Sequence, residues 1–286
     1  MKKVLLLSSL AVSGVILAGC GSGGSTGGVT LDTLLEESNK VMDSVKSVST
    51  NINIDVEMDM SASTGGNDTS FEIKMTGEGV VEAVLDNFAA HQVMNMNVSL
   101  YNVDQASSIE TYMIADANNS KKVDVYTNSV SNDAESGWLH TSIDMEDASK
   151  NLNSNLYNLY TNSKDSFSLE KKTKQFEGSE CYVVNAKLGF KDIANYAGEI
   201  LSQLDVDENS DLKIDTVYYI DKETKEVKGA EVDMADTMKS LLEESAQQSS
   251  NTGVKINIKA FKVTSENTYN TVTSIDIPKE VTEAAN

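Results

Sequence analysis

The spacing of the hydrophobic residues changes near the start of the chain from that of a helix to that of a strand. The apolar residues Leu31, Leu34, Leu35, Val41, Met42, Val45 and Val48 fall on one face of a helix. Thr30 is placed to cap this helix. From Ile52 to Met60 every second residue is apolar and the residues between them are polar. This region therefore predicts an amphipathic helix followed by a strand with one buried and one solvated face.

The rest of the chain predicts more strands with a few helices between them. Phe71, Ile73 and Met75 alternate again, and Gly77-Glu78-Gly79 after them predicts a bulge or a bend. Further strands are predicted at about 88–101, 109–115, 122–127, 138–142, 181–188, 215–220, 226–234, 254–263 and 271–277. Helices are predicted at about 152–160, 190–204 and 235–247. A leading helix, long antiparallel strands and inserted helices together predict an α+β fold.

The first residues differ in composition from this pattern. Lys2 and Lys3 precede a mostly apolar stretch, and Leu17-Ala18-Gly19-Cys20 ends it. This is the layout of a secretory signal peptide. The final cysteine makes it resemble the lipobox of bacterial lipoproteins, which is cleaved before the cysteine once the sulfur carries diacylglycerol. The alternative is a plain signal peptide that contains a cysteine by chance.

These features predict three parts of the chain and its location. Residues 1–19 are a lipoprotein signal peptide, residues 20–29 are a flexible Gly/Ser tether, and residues 30–286 form a single domain. Two acyl chains on Cys20 hold a protein stably on a bilayer. We therefore expect a lipid-anchored protein on the outer face of the cytoplasmic membrane of a Gram-positive-like bacterium.

The charge of the chain argues against some classes of partner. Its 44 acidic residues against 23 basic ones give a net charge of −21, and all the basic residues are lysine. This balance argues against nucleic acid as a partner, and it repels anionic lipid headgroups. The lack of arginine excludes bidentate clamps on carboxylates or phosphates. Beyond the membrane and a lipid or apolar small molecule, the sequence does not identify a partner, and a protein partner stays open.

Several segments resemble a known family. They are Val45-Lys46-Ser47-Val48-Ser49, Gly178-Ser179-Glu180-Cys181-Tyr182-Val183-Val184, the hairpin from Tyr218 to Val227, and Ile275-Asp276-Ile277-Pro278. With them the chain, from about Leu31 to its end, resembles the Gram-positive lipoproteins with a LolA/LppX-like fold. That resemblance implies an open half-barrel of antiparallel strands wrapped over helices. Related folds carry or sense lipid or acyl chains, which implies an apolar cavity and identifies no ligand. The lack of arginine is a departure, and it puts in doubt any function that needs arginine to contact a partner.

The candidate ligand-binding residues follow from the apolar phase of the early strands. They are Ile54, Val56, Met58, Met60, Phe71, Ile73, Met75, Met94 and Met96. Methionine adapts to irregular apolar shapes, so these residues fit a deformable cavity for a lipid or another apolar molecule. The alternative is an ordinary core under the helices, which favours an envelope protein-interaction or sensing module. A substrate-binding lipoprotein of an importer fits poorly, since that class usually has two α/β lobes.

No pattern predicts catalysis. Gly23-Gly24-Ser25-Thr26-Gly27 fits the nucleophile-elbow pattern but lies in the tether. The two histidines, His91 and His140, fall in separate predicted strands, where a surface or hydrogen-bonded position is the better interpretation. Cys181 lies in an apolar run and is predicted to be a buried, inert thiol. We therefore expect no enzymatic activity and no cofactor.

One acidic run has the spacing of the ligands in a metal-binding loop. Asp205, Asp207, Asn209 and Asp211 occupy the first four ligand positions of a calcium loop. The loop glycine is replaced by Ser210 and the bidentate glutamate by Thr216. An acidic loop is therefore the better interpretation, and we predict no metal site.

Overall fold

A computed structural model describes residues 28–64, 67–100, 103–132, 134–135, 137–146, 148, 156–189, 213–248 and 254–284. Cys20, most of the tether, the predicted helix at 190–204 and the acidic run from Asp205 to Asp211 lie outside these residues.

The helix that opens the described chain, α1 (Leu31–Met42), begins where its cap requires. Thr30 is extended, and its hydroxyl oxygen accepts a hydrogen bond from the Thr33 amide at 3.3 Å. Leu31 and the other leucines of its stripe are buried. The helix is shorter than its apolar spacing suggests, because the chain from Ser47 onward pairs with two strands at once.

The strands form one antiparallel sheet, which has 13 strands in the described parts of the chain. Their bounds are β1 Ser47–Thr64, β2 Asn67–Val84, β3 Ala89–Leu100, β4 Val103–Ala115, β5 Lys122–Ser131, β6 Ala134–Glu135, β7 Leu139–Asp144, β8 Phe167–Leu169, β9 Lys174–Phe176, β10 Ser179–Gly189, β11 Lys213–Asp221, β12 Val227–Asp233 and β13 Val254–Tyr269. The order across the sheet is β6-β5-β4-β3-β2-β1-β13-β12-β11-β10-β8, while β7 pairs with β5 and β9 with β10. The strands at the two ends of this order, as described, do not pair with each other. The predicted fold class, α+β with an open antiparallel sheet, is therefore confirmed.

Helices pack against this sheet. The others with assigned bounds are α2 (Leu156–Asn162), α3 (Ala235–Gln248) and α4 (Lys279–Ala284), and a short 3-10 turn spans Lys164–Ser166. α1 contacts α2, and α3 packs along β13. The largest cluster of buried side chains joins α1 and α2 to the sheet face that carries Ile52, Ile54 and Val56. We call this the inner face of the sheet, and the opposite one the outer face.

Gly77 and Gly79 do not mark a bulge, so that prediction was wrong. β2 stays in register with β1 through both glycines. A Cβ atom on Gly77 would lie 2.7 Å from the Met96 sulfur, and one on Gly79 would lie 2.5 Å from Cε of Met94. The glycines make room for the two methionines of β3, which lie across the inner face. A glycine in a strand marks either a bend or a close approach, and here it marks the latter.

A bulge is present in β13 instead. The pairing of β13 with β1 shifts between Glu57 and Met58, which leaves Lys259 as the extra residue. Its ammonium lies 2.8 Å from the Glu57 carboxylate, 2.9 Å from that of Asp59 and 2.8 Å from that of Glu72. A hydrogen bond from Lys259 is the main reason why the pKa of Glu72 falls to about 2. The bulge thus gathers three carboxylates around one lysine on the outer face.

The prediction of a strand at 271–277 was also wrong. β13 ends at Tyr269, and residues 271–278 form neither helix nor strand. Asn270 has a positive φ of 57°, and its amide donates to the Ser47 carbonyl at 2.8 Å. Because Ser47 is the first residue of β1, the neighbouring strand offers no partner for residues beyond this point. Pro278 precedes α4, and its carbonyl accepts a hydrogen bond from the Val281 amide at 3.0 Å.

Candidate ligand-binding face

The nine predicted ligand-binding residues all lie on the inner face of adjacent strands. The pairs across β1 and β2 are Val56–Met75, Met58–Ile73 and Met60–Phe71. On β3, Met94 and Met96 stand opposite Gly79 and Gly77, and Gly77 in turn stands opposite Ile54. The structure therefore brings the nine residues together on one surface.

One part of this surface is packed into the core. Ile54, Val56, Met75, Met94 and Met96 are all buried, and they share one cluster with the leucines of α1. The glycines of β2 let the two β3 methionines lie flat here, so the protein's own side chains fill this region. For these five residues, the arrangement is that of an ordinary core.

The other part of the surface is only half-covered. Met58, Met60, Phe71 and Ile73 are half-buried. Leu100, opposite Ile73, is 38% exposed, and Val103, opposite Leu100, is 58% exposed. We call these six residues the strand tip, because they lie towards the β1–β2 and β3–β4 turns. The strand tip continues the apolar core into a region that solvent or a ligand can reach.

Two hydroxyl groups are buried within the core, one on α1 and one on β11. Ser38 of α1 is 0% exposed and Tyr218 of β11 is 1% exposed. Neither hydroxyl makes a hydrogen bond of normal geometry within the described residues. Burial raises the pKa of Tyr218, although the Thr216 side chain lies close enough to Tyr218 to lower that pKa slightly. Since an unpaired buried polar group costs about 1–3 kcal/mol, a bound water or a polar atom of a ligand would stabilise this region. The apolar run around Tyr218 predicts only a strand, so no pattern in the sequence indicates this feature.

We expect Tyr218→Phe to raise the free energy of unfolding of the ligand-free domain by about 1 kcal/mol, because it removes an unpaired buried hydroxyl. Tyr219→Phe is the matched control, since the neighbouring Tyr219 hydroxyl donates to the Glu231 carboxylate at 2.9 Å. That variant should be destabilised by a similar amount. Urea unfolding of both variants measures the difference. Equal destabilisation of the two would mean that the Tyr218 hydroxyl is satisfied in solution.

The two histidines lie on the outer face, away from the candidate site. His91 bonds through Nε2 to the Glu110 carboxylate at 2.9 Å, and His140 bonds in the same way to that of Asp124 at 2.9 Å. The ring of His91 stacks on Tyr112 with centroids 4.2 Å apart, and that of His140 stacks on Tyr126 at 4.6 Å. Both are hydrogen-bonded strand residues, as the sequence predicts.

Cys181 has the properties of a structural thiol. It is 0% exposed, and its sulfur lies 3.7 Å from the Ser179 carbonyl. Burial is the main cause that raises the pKa of Cys181 to about 11. The group is therefore protonated near neutral pH, and a protonated thiol is a poor nucleophile and metal ligand.

The described residues contain neither a metal-ligand cluster nor a membrane-spanning helix. Within them, no three His, Cys, Asp or Glu side chains come together in a way that could hold a metal ion. In the same part of the chain, no helix has both the length and the apolar composition needed to cross a bilayer.

The chain is similar to several solved structures at low sequence identity. It is 8% identical to the lipoprotein LppX of Mycobacterium tuberculosis, with 86% of this chain and 97% of that one covered and a TM-score of 0.38. It is 9% identical to LprF of Mycobacterium bovis, over 86% and 96% of the two chains, with a TM-score of 0.44. A LolA superfamily protein of Nitrosomonas europaea is 9% identical over 88% and 97%, with a TM-score of 0.21. These likenesses concern the fold alone, and they are distant.

No curated protein matches the chain. A family model does match it, over residues 30–286, which is nearly the whole of the predicted mature domain. The chain therefore belongs to DUF6612, a family of unknown function.

Proposed function

We propose that this protein is a non-enzymatic lipoprotein, anchored through Cys20 outside the cell, that binds a lipid or another apolar ligand against the inner face of its sheet. The observation that carries the proposal is the strand tip. There the buried core passes without a break into apolar side chains that stay half-exposed. Exposed apolar surface next to a core is a common property of ligand-binding grooves and interaction sites.

The residue types at the strand tip suit a ligand with acyl chains. Met58 and Met60 are flexible, and Phe71 and Ile73 beside them supply apolar area without polar atoms. The buried hydroxyls of Ser38 on α1 and Tyr218 on β11 lie deeper in the core. An amphiphile could place its chains on the strand tip and a polar atom near a buried hydroxyl.

The location outside the cell rests on the sequence around Cys20. The charged start, the apolar stretch and the small residues before Cys20 form one coherent export and lipidation signal. We infer a Gram-positive host from the resemblance of the chain to Gram-positive lipoproteins with a LolA/LppX-like fold.

A second function is supported by the packed part of the inner face. Five of the nine candidate residues already lie in the core with the helix leucines. A domain filled in this way could act as an interaction or sensing module and use the strand tip to contact a protein. The two functions differ in whether lipid accompanies the purified domain.

Native mass spectrometry of the domain expressed from Val29 tests the proposal. We expect a fraction of the protein to carry a mass that corresponds to a co-purified lipid. Ile73→Gln at the strand tip should reduce that fraction about tenfold, since its polar amide would be buried against the acyl chains of the lipid. Val80→Gln is the control, because Val80 is 40% exposed and lies on the outer face of the same strand.

The lipid-bound fraction decides between the two functions. Domain that is consistently free of lipid under gentle conditions contradicts apolar-ligand binding and favours the interaction module. Equal loss in the two variants would place the ligand elsewhere than the strand tip.

A further inference from the structure

We propose that the strand tip docks onto the same bilayer that holds Cys20, with its apolar side chains in the interfacial region of the lipid. The inference rests on the lipid anchor of the proposed function. It adds an orientation of the domain, and it places the bilayer, instead of a single bound ligand, against the exposed side chains of the strand tip.

The position of α1 shows from which end of the domain the tether leaves. Asp32, in the first turn of α1, pairs with Lys164 at 3.3 Å. Lys164 lies three residues before Phe167, which pairs with Ala186 of β10. Lys164 therefore lies beyond Ala186, on the side where β10 ends at Gly189.

The register then relates this end to the strand tip. Ala186 stands in one cross-strand row with Ile54, through Thr216, Val232 and Val263. β10 and β1 run in the same direction. The end of β10 therefore lies on the side of the sheet to which β1 runs from Ile54 to Met60. The first turn of α1 and the strand tip therefore lie towards the same end of the sheet.

The tether length agrees with contact at this end. The eight residues from Cys20 to Gly27 can span at most about 28 Å. β1 continues eight residues beyond Val56 to Thr64, which is about 26 Å of strand. The lipid on Cys20 and the projecting strands can therefore reach the same membrane surface. The opposite end of the domain lies farther from the tether by roughly the length of α1, about 18 Å.

The charges near the strand tip repel a membrane surface less than the net charge of −21 suggests. The Lys259 ammonium holds the carboxylates of Glu57, Asp59 and Glu72 together on the outer face. The inner side of the strand tip itself carries Met58, Met60, Phe71, Ile73, Leu100 and Val103, with no charged side chain among them. The apolar surface can thus meet lipid while the clustered charges face water.

Tryptophan quenching by brominated lipid tests the docking. The full-length lipidated chain would be placed on vesicles of phosphatidylcholine that contain a dibrominated phosphatidylcholine, since a zwitterionic surface avoids charge repulsion. The reporter is Phe71→Trp in a Trp138→Phe background. We expect it to lose about half of its emission, because an interfacial apolar surface lies roughly 5–10 Å into the headgroup and acyl boundary, near the bromine atoms. The unaltered chain is the matched control, because its single tryptophan, Trp138, stands beside Tyr112 on the outer face.

The outcomes separate docking from the proposed function. Protein that floats with the vesicles while Phe71→Trp keeps its emission would overturn the docking and leave the anchor intact. Protein that does not float would overturn the anchor, and the docking with it. A second reporter, Val103→Trp, serves if Phe71→Trp does not fold, since Val103 is 58% exposed.

A specific protease site placed in the tether distinguishes docking from ligand binding. Emission that recovers once the domain is released from the vesicles supports docking. Emission that stays quenched in the released domain means that brominated lipid has entered as a ligand, which would overturn docking as the cause of the quenching.

Discussion

Gly229→Ala is expected to lower the free energy of unfolding by about 4 kcal/mol, a large part of the stability of a typical domain. Gly229 lies in β12, beside β13. An added Cβ would collide with the Ser265 carbonyl oxygen, and it would lie 2.7 Å from a ring carbon of Phe176. The Ser265 oxygen belongs to the backbone of β13, so the clash can be relieved only by moving two paired strands apart. Urea unfolding of the purified domain measures the loss.

Gly77→Ala is the control for this prediction. Its added Cβ would lie 2.7 Å from the Met96 sulfur and 3.2 Å from Cδ1 of Ile54, which are the far ends of flexible side chains. We therefore expect a cost of only about 1 kcal/mol. If both alanine variants lost the same stability, the backbone contact at Gly229 would not be the cause.

The double variant Gly229→Ala/Phe176→Ala tests the same point from the other side. The Phe176 ring stacks on Tyr219 with centroids 4.1 Å apart, and it covers Gly229 from the outer face. Its removal relieves only the side-chain part of the clash. The double variant should therefore remain at least as unstable as Gly229→Ala, and restored stability would show that the ring, and not the backbone, was the obstacle.

The faces of the strands could be predicted from the sequence because alternation is a local property. The apolar phase from Ile52 to Met60 places those side chains on one side of β1 whichever strands pair with it. The antiparallel α+β class followed from the same local patterns. For this reason the candidate residues were found on one surface.

The pairing between distant strands could not be predicted in this way. β1 pairs with β13, about 200 residues later in the chain, and only that register reveals Lys259 as a bulge residue. The role of Gly77 and Gly79 depends on methionines in β3, which no pattern within β2 can show. The boundary between packed core and strand tip likewise depends on where α1 begins relative to β1. Each of these features depends on residues that are distant in sequence.

Cys20→Ala is expected to abolish lipid attachment and, with it, the cleavage before residue 20. In a lipobox the diacylglycerol is added to the sulfur first, and the cut follows, so one atom controls both steps. The measurement is labelling with an alkyne fatty acid in a Gram-positive host, combined with the intact mass of the product. Residues 1–19 should remain on the Cys20→Ala chain, and the label should be lost completely.

Cys181→Ala is the matched control, since Cys181 is the only other cysteine and is 0% exposed. That variant should keep both the label and the cleavage. A label that survives in Cys20→Ala, or is lost in Cys181→Ala, would contradict the anchor. The consequence for the domain is large, because two acyl chains contribute about 0.8 kcal/mol for each buried CH2, far more than the few exposed side chains of the strand tip can supply. In our proposal the strand tip orients the domain on the membrane, and the acyl chains on Cys20 hold it there.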